Sequence, residues 1–150
     1  MRKKIATAIT AVALATSLTA CSGAGNDAPT RMITQVTDGV EANLASEGNL
    51  IYLRNIYIAL NAAGEASLVG TIINQKDTDD ALLAMAFGDK QIKLEPIPVA
   101  LNKPVTFGGD SANAFATIPN SGLVAGKRTT VSFFFGLAGS VTLDALVVAA

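Results

Sequence analysis

The sequence predicts an all-β domain, built as an antiparallel β-sandwich, that follows an N-terminal signal segment. Three observations favour this fold class. Short segments rich in β-branched and aromatic residues recur along the chain, turn residues separate them about every 8–12 positions, and no long segment has helical periodicity. The chain shows no internal repeat and no second domain.

The longest predicted strand covers residues 50–60 and has apolar residues on both faces, which is typical of a central strand. Strict alternation assigns its side chains to two faces, with Ile51, Leu53 and Tyr57 on one and Tyr52, Ile56 and Ile58 on the other. Turn residues at 61–65 connect it to a strand at 67–74, and the two form a predicted antiparallel hairpin.

The other predicted strands are shorter. They cover residues 33–41, 81–87, 91–95, 105–107, 112–118, 128–135 and 141–148. Residues 81–87 also suit a helical turn, but Gly88 ends the segment quickly and favours a strand. Pro96 and Pro98 exclude a central position in a sheet for their segment, because proline donates no ladder hydrogen bond. Seven to nine short strands predict a sandwich of the immunoglobulin or cupredoxin kind.

The N-terminus has the three parts of a secretory signal in order. A basic triplet at positions 2–4 precedes an uncharged apolar run at 5–18, which is short for a membrane-spanning helix. The sequence Leu-Thr-Ala-Cys at 18–21 resembles the bacterial lipobox. This resemblance implies cleavage between Ala20 and Cys21 and attachment of lipid to the Cys21 sulfur. The alternative is that Cys21 is an ordinary core thiol after an amphipathic helix.

Three segments follow from this interpretation: a lipoprotein signal peptide at 1–20, an acylated Cys21 with a flexible tether at 21–30, and the sandwich at 31–150. Small polar and glycine residues at 22–29 favour a tether over an ordered loop packed on the domain. Two or three acyl chains would hold the protein stably at the membrane. We therefore expect localisation at the extracytoplasmic face of the cell membrane, with the membrane as a partner through the lipid on Cys21.

Composition restricts the possible chemistry. The chain has no His, no Trp and one Cys, so it can form no internal disulfide and no Ser-His-Asp triad. Removal of the basic triplet at 2–4 lowers the formal charge from −1 to about −4. An acidic domain without a basic cluster does not suit nucleic acid. We expect no enzyme activity, no cofactor and no nucleic-acid partner.

Four other patterns each have a purely structural interpretation and a functional one. Asp77, Asp79 and Asp80 would supply oxygens to Ca²⁺, although the segment lacks the glycine and final glutamate of an EF-hand, and a solvated turn is favoured. Met32 and Met85 would make a two-thioether Cu(I) site only if the fold joined them. Residues 108–111 are favoured as a turn over a phosphate loop. Alternation predicts that at least one ring of Phe133-Phe134-Phe135 faces outward, as a contact patch for a partner or lipid, but a strand covered on both faces is favoured.

Several segments resemble the PCu(A)C-type periplasmic copper chaperones. Residues 123–135 and 138–143 are similar to the family's last two strands and their turn, Tyr52-Leu53-Arg54-Asn55 to an early strand motif, and residues 104–109 to a proline/glycine turn before a binding loop. Residues 28–31 and 33–43 are closer still to the LpqE group of mycobacterial and corynebacterial lipoproteins. The resemblance covers most of residues 29–148 and implies an immunoglobulin-like sandwich at an actinobacterial envelope.

This sequence lacks the copper-binding motif of that family. The family binds Cu(I) through a His-x-Met sequence just after the glycine turn, whereas this chain reads Asp-Ser-Ala-Asn-Ala at 110–114. We therefore expect no metal site and a lipid-anchored, non-catalytic accessory module that binds an envelope protein or lipid. The alternative is an extracytoplasmic copper chaperone with a non-standard site.

Overall fold

The computed structural model describes residues 39–46 and 48–150. Nine strands make up the described part, and no helix occurs in it: β1(Val40–Ser46), β2(Asn49–Leu60), β3(Ala66–Asn74), β4(Asp80–Phe87), β5(Lys90–Val99), β6(Val105–Phe107), β7(Thr117–Ile118), β8(Arg128–Phe135) and β9(Ser140–Ala149). The signal peptide, Ala20, Cys21, the tether, Met32 and the start of the strand predicted at 33–41 lie outside the described residues.

The strands form one strongly curled sheet in the order β5-β4-β8-β9-β2-β3-β6, with β1 also paired to β2 and β7 to β3. Every strand pair is antiparallel except β2 with β9, which run parallel where Ile58 lies opposite Val147. This short parallel ladder joins the two halves, which fold over a shared core. The predicted all-β sandwich is confirmed.

The core lies between the two halves of the sheet. Alternate residues of β3 are buried, as period-two alternation requires, and the corresponding side chains of β2, β4, β8 and β9 meet them. The largest fully buried side chains include Phe87, Phe107, Phe133, Ile72 and Leu82. Each contributes about 1.5–3 kcal/mol relative to an exposed position, so burial of these side chains is the main stabilising term.

A β-bulge in β2 overturns the predicted assignment of its two faces. The register with β3 shifts between Arg54 and Tyr57, and Asn55 adopts a positive φ of 53°. The extra residue reverses the alternation. As a result Ile56 and Ile58 are buried on the same side as Ile51 and Leu53, while Tyr52 and Tyr57 are half-buried. The predicted hairpin of this strand with β3 and its central position are both confirmed.

Arg54 links β1 and β2 by hydrogen bonds beside the bulge. Its Nη1 donates hydrogen bonds to the carbonyl oxygens of Ala42 (3.1 Å) and Leu53 (2.8 Å). Its Nε lies 3.7 Å from Glu41 Oε2, and its guanidinium carbon lies 4.4 Å from the centre of the Tyr52 ring. Arg54 therefore bonds to backbone carbonyls of both strands while its charge rests against an aromatic face.

Three predicted strands differ from the observed ones by more than one residue at an end. Of the strand predicted at 33–41 only Val40 and Glu41 are described, and β1 continues from them to Ser46. The strand predicted at 91–95 extends to Val99 as an edge strand, a position in which its two prolines are tolerated. The strand predicted at 112–118 is wrong for its first five residues, because a loop with one isolated bridge, between Ala114 and Phe107, occupies them and only Thr117 and Ile118 form a strand.

Gly70 of β3 packs against the bulge and gives a direct test of it. Its φ is 143°, and a Cβ there would lie 2.5 Å from Ile56 Cδ1 and 2.9 Å from the Asn55 carbonyl oxygen. We expect Gly70→Ala to lower the free energy of unfolding by about 3 kcal/mol. Gly64→Ala is the matched control: its φ is 78° with no atom within 4 Å, and the expected loss is about 1 kcal/mol. Equal losses in urea unfolding would contradict the tight contact.

Candidate functional site

An open apolar groove of about 390 Å³ lies between residues 94–98 of β5 and residues 113–115, and we call it the seam groove. Its lining residues are Leu94, Glu95, Pro96, Ile97, Pro98, Asn113, Ala114 and Phe115. Six of these eight are apolar, and Phe115 is 75% exposed. Exposure of most of a phenyl ring next to apolar neighbours is costly in water, which makes the groove a candidate contact surface.

The loop that carries Phe115 is held by Asn113. Gly108 and Gly109 turn the chain after β6 with positive φ values of 73° and 76°, which confirms the turn predicted at 108–111. Asn113 Oδ1 then accepts a hydrogen bond from the Thr106 N–H (2.8 Å), and its Nδ2 donates to the Pro104 carbonyl oxygen (3.0 Å). The amide therefore ties the loop that carries Phe115 back to Thr106 of β6 and to Pro104.

Burial alternates along the rest of this loop. Ala114 and Ala116 are buried, and the Ala116 carbonyl accepts a hydrogen bond from the Leu68 N–H of β3 (2.9 Å). Phe115 lies between them and must face outward. On the other side of the groove, Pro96 and Pro98 prevent a further strand from pairing fully with the β5 edge. The groove therefore suits side-chain contacts better than strand addition.

The described residues do not bring the sequence-predicted metal ligands together. Met85 is 0% exposed in the core of β4, and Met32 lies outside the described residues. Asp77 and Asp79 are exposed, whereas Asp80 is buried. Within residues 39–46 and 48–150, no group of three or more His, Cys, Asp or Glu side chains is arranged to hold a metal ion.

Asp80 has a structural role, as an acceptor of backbone hydrogen bonds, that the sequence pattern did not indicate. Its Oδ1 accepts hydrogen bonds from the N–H groups of Ala81 (2.7 Å) and Leu137 (2.9 Å), and its Oδ2 accepts one from Ala138 (2.8 Å). The carboxylate, 6% exposed, thus holds the turn between β8 and β9 against the start of β4. A sequence separation of 57 positions between Asp80 and Leu137 gives no local signal for this contact.

A second apolar surface lies beside that turn. Phe134 is 41% exposed, Leu83 45% and Leu137 58%, and we call these three residues the hairpin-tip patch. Phe133 and Phe135 are buried in the core, so alternation correctly predicted an outward ring, and the favoured interpretation of a strand covered on both faces is wrong. Sequence reasoning missed Leu83, because a bulge in β4 between Leu82 and Ala84 places it outward. It also missed Leu137, which lies in a turn.

Comparison with known proteins gives matches in structure only. No family model matches the chain, and no curated protein does. Among solved structures, the apo PCuAC domain from PmoF1 is 19% identical with a TM-score of 0.60 and covers 74% of this chain and 100% of its own. The copper-bound PCuAC domain from PmoF2 is 18% identical with a TM-score of 0.57 and covers 74% and 99%. The apo PmoF2 PCuAC domain is 17% identical with a TM-score of 0.54 and covers 72% and 95%.

These likenesses define the class of the domain. The described part of the chain has a PCuAC-like β-sandwich fold, as the sequence resemblance predicted. At this level of identity the comparison establishes the fold, and function must be argued from the site. Among residues 39–46 and 48–150, no helix is long and apolar enough to cross a bilayer.

The roles assigned to Asn113 and Phe115 predict a loss of stability when Asn113 is changed and almost none when Phe115 is changed. Asn113→Ala removes both side-chain hydrogen bonds of the loop, and we expect the free energy of unfolding to fall by about 1–2 kcal/mol. Phe115→Ala removes an exposed ring, and we expect a change within about 0.5 kcal/mol. Urea unfolding of both variants checks this. A large loss for Phe115→Ala would mean that the ring serves the fold instead of a partner.

Proposed function

We propose that this chain is a non-catalytic lipoprotein that is anchored through Cys21 at the extracytoplasmic face of the cell membrane and binds another envelope component in the seam groove. The observation that carries the binding role is the 75% exposure of Phe115 on a loop that Asn113 holds in place. The lipobox at 18–21 supports the anchor, and the similarity of residues 28–31 and 33–43 supports a relationship to the LpqE group.

The groove lining defines the chemistry of its ligand. Apolar contacts would come from Leu94, Ile97 and Phe115. Pro96 and Pro98 form a conformationally rigid part of the lining. Glu95 supplies the single charge among these lining residues. A short apolar segment of an envelope protein, with a Lys or Arg next to it, would fill the groove and meet the carboxylate. No catalytic set is needed for this role.

Copper binding is the second candidate, and the comparisons favour it over the accessory role because the structural neighbours are PCuAC copper chaperone domains, one of them bound to copper. The donor chemistry of the described residues does not fit it. Cu(I) prefers thioether, thiolate and imidazole ligands. The chain has no His, Met85 is buried, and both polar ends of the Asn113 amide are in hydrogen bonds. A copper site would therefore depend on Met32 and the sulfur of Cys21.

Titration with Cu(I) in the presence of a competing chelator and a reductant separates the two candidates. We expect the mature protein to bind Cu(I) no more tightly than about 1 µM, since the described residues supply no accessible soft donor. Met85→Leu is the control and should leave the titration unchanged. Submicromolar binding that Met32→Leu abolishes would overturn the accessory role and establish the copper alternative.

Cross-linking in intact cells tests the groove. With a photoreactive phenylalanine analogue in place of Phe115, we expect one reproducible adduct with an envelope protein. The matched control places the same analogue at Val124, which is 60% exposed and outside the groove lining. Glu95→Lys should weaken the adduct by about tenfold, because it would repel a basic partner. Equal labelling from both positions would count against a specific groove ligand.

A further inference from the structure

The hairpin-tip patch presents three large apolar side chains from two strands and a turn. Phe134 lies opposite Ala84 of β4 and Ser140 of β9, and Leu83 lies in the bulge of β4 next to that pair. A Cβ on Gly136 would lie 3.7 Å from Leu83 Cδ1, so the turn that carries Leu137 adjoins Leu83. The three side chains therefore belong to one end of the molecule.

The backbone N–H groups at the turn between β8 and β9 are hydrogen-bonded within the protein, which is compatible with an apolar environment. Four successive N–H groups have partners inside the protein: Phe135 donates to the Gly139 carbonyl (2.7 Å), Gly136 to the Ala81 carbonyl (3.0 Å), and Leu137 and Ala138 to the Asp80 carboxylate. In a bilayer no water is present to satisfy such groups, and each unpaired one is costly. The N–H groups of residues 135–138 would therefore not be left unpaired if the turn entered the headgroup layer.

Apart from the buried Asp80, the segments that form this end carry no charged residue. No Asp, Glu, Lys or Arg occurs in residues 129–143 or in residues 81–88. Asp80 follows the loop at 75–79, where Asp77 and Asp79 are exposed. These carboxylates would remain in the headgroup layer, so they restrict the depth of contact and disfavour anionic lipid. The chemistry fits shallow contact with a zwitterionic bilayer.

We infer that the hairpin-tip patch rests on the bilayer surface, with Leu137 entering the boundary between headgroups and acyl chains. This inference deepens the proposed function and rests on the lipid anchor at Cys21, which would keep the patch close to a membrane. A few apolar side chains bind lipid weakly by themselves, but tethering raises their effective concentration. The second contact would then fix the orientation of the domain on the membrane.

Tryptophan fluorescence tests the contact directly, because the chain contains no Trp. The acylated Leu137→Trp protein is reconstituted into phosphatidylcholine vesicles that contain brominated lipid, which quenches an indole at the acyl chains. Val124→Trp is the matched control, since Leu137 and Val124 are similarly exposed at 58% and 60%. We expect a blue-shifted emission and at least about threefold stronger quenching for Leu137→Trp, as an interfacial position requires.

Two further measurements on the same samples test the anchor separately from the bilayer contact of the patch. They are vesicle flotation and the mass of the peptide that contains Cys21. Flotation with no extra quenching of Leu137→Trp leaves the anchor intact and overturns the bilayer contact. Loss of flotation with an unmodified Cys21 overturns the anchor and the inference with it. If a photoreactive residue at Leu137 labels an envelope protein in cells and quenching stays at the control level, the patch is a protein interface instead.

Leu137→Ser provides a second variant that does not depend on a new aromatic ring. It removes the most exposed apolar side chain of the patch while Asp80 still accepts the backbone hydrogen bonds of the turn. We expect bromolipid quenching of a second Trp, introduced by Leu83→Trp, to fall about threefold when Leu137→Ser is added. Unchanged quenching would show that Leu137 does not determine the contact.

Discussion

The bulge at Arg54 and Asn55 is the constraint on which the rest of this fold depends. β2 pairs with β1 and β3 along its first half and with β3 and β9 along its second half. A regular strand would point Ile51 and Ile58 to opposite faces, because their separation is odd. The extra residue corrects this and allows one strand to supply core side chains to the sandwich along its whole length. Gly70 and Gly39 leave the space that the bulge needs.

Strand composition and turn residues were enough to predict the sandwich and most of its strands. Residues 105–107 and 128–135 are strands with the predicted bounds, since each is a β-rich segment between turn residues. Alternation failed at β2, where a local backbone choice at Asn55 reverses the phase without a signal in hydrophobicity. It failed again at residues 112–116, because the two side-chain hydrogen bonds of Asn113, to Thr106 of β6 and to Pro104, favour a loop over a strand.

The site was predictable only in part, for a related reason. The sequence located the glycine turn and showed that no soft ligand follows it. The seam groove, however, forms only because residues 94–98 and 113–115 lie close together in space. The periodicity of a sequence does not predict that two such segments are neighbours. Asn113 bonds to the backbone of β6, so the loop conformation needs no metal to hold it.

Asp80 illustrates how burial decides what a carboxylate does. Asp77, Asp79 and Asp80 are neighbours in sequence and equally suited to a cation by composition. Only Asp80 is buried, and there it accepts three backbone N–H groups, which a charged acceptor binds more strongly than a neutral one would. Because these bonds occupy the turn's donors, the surface beyond them can be purely apolar. The buried carboxylate thereby satisfies the N–H groups of Leu137 and Ala138, while the Leu137 side chain stays 58% exposed.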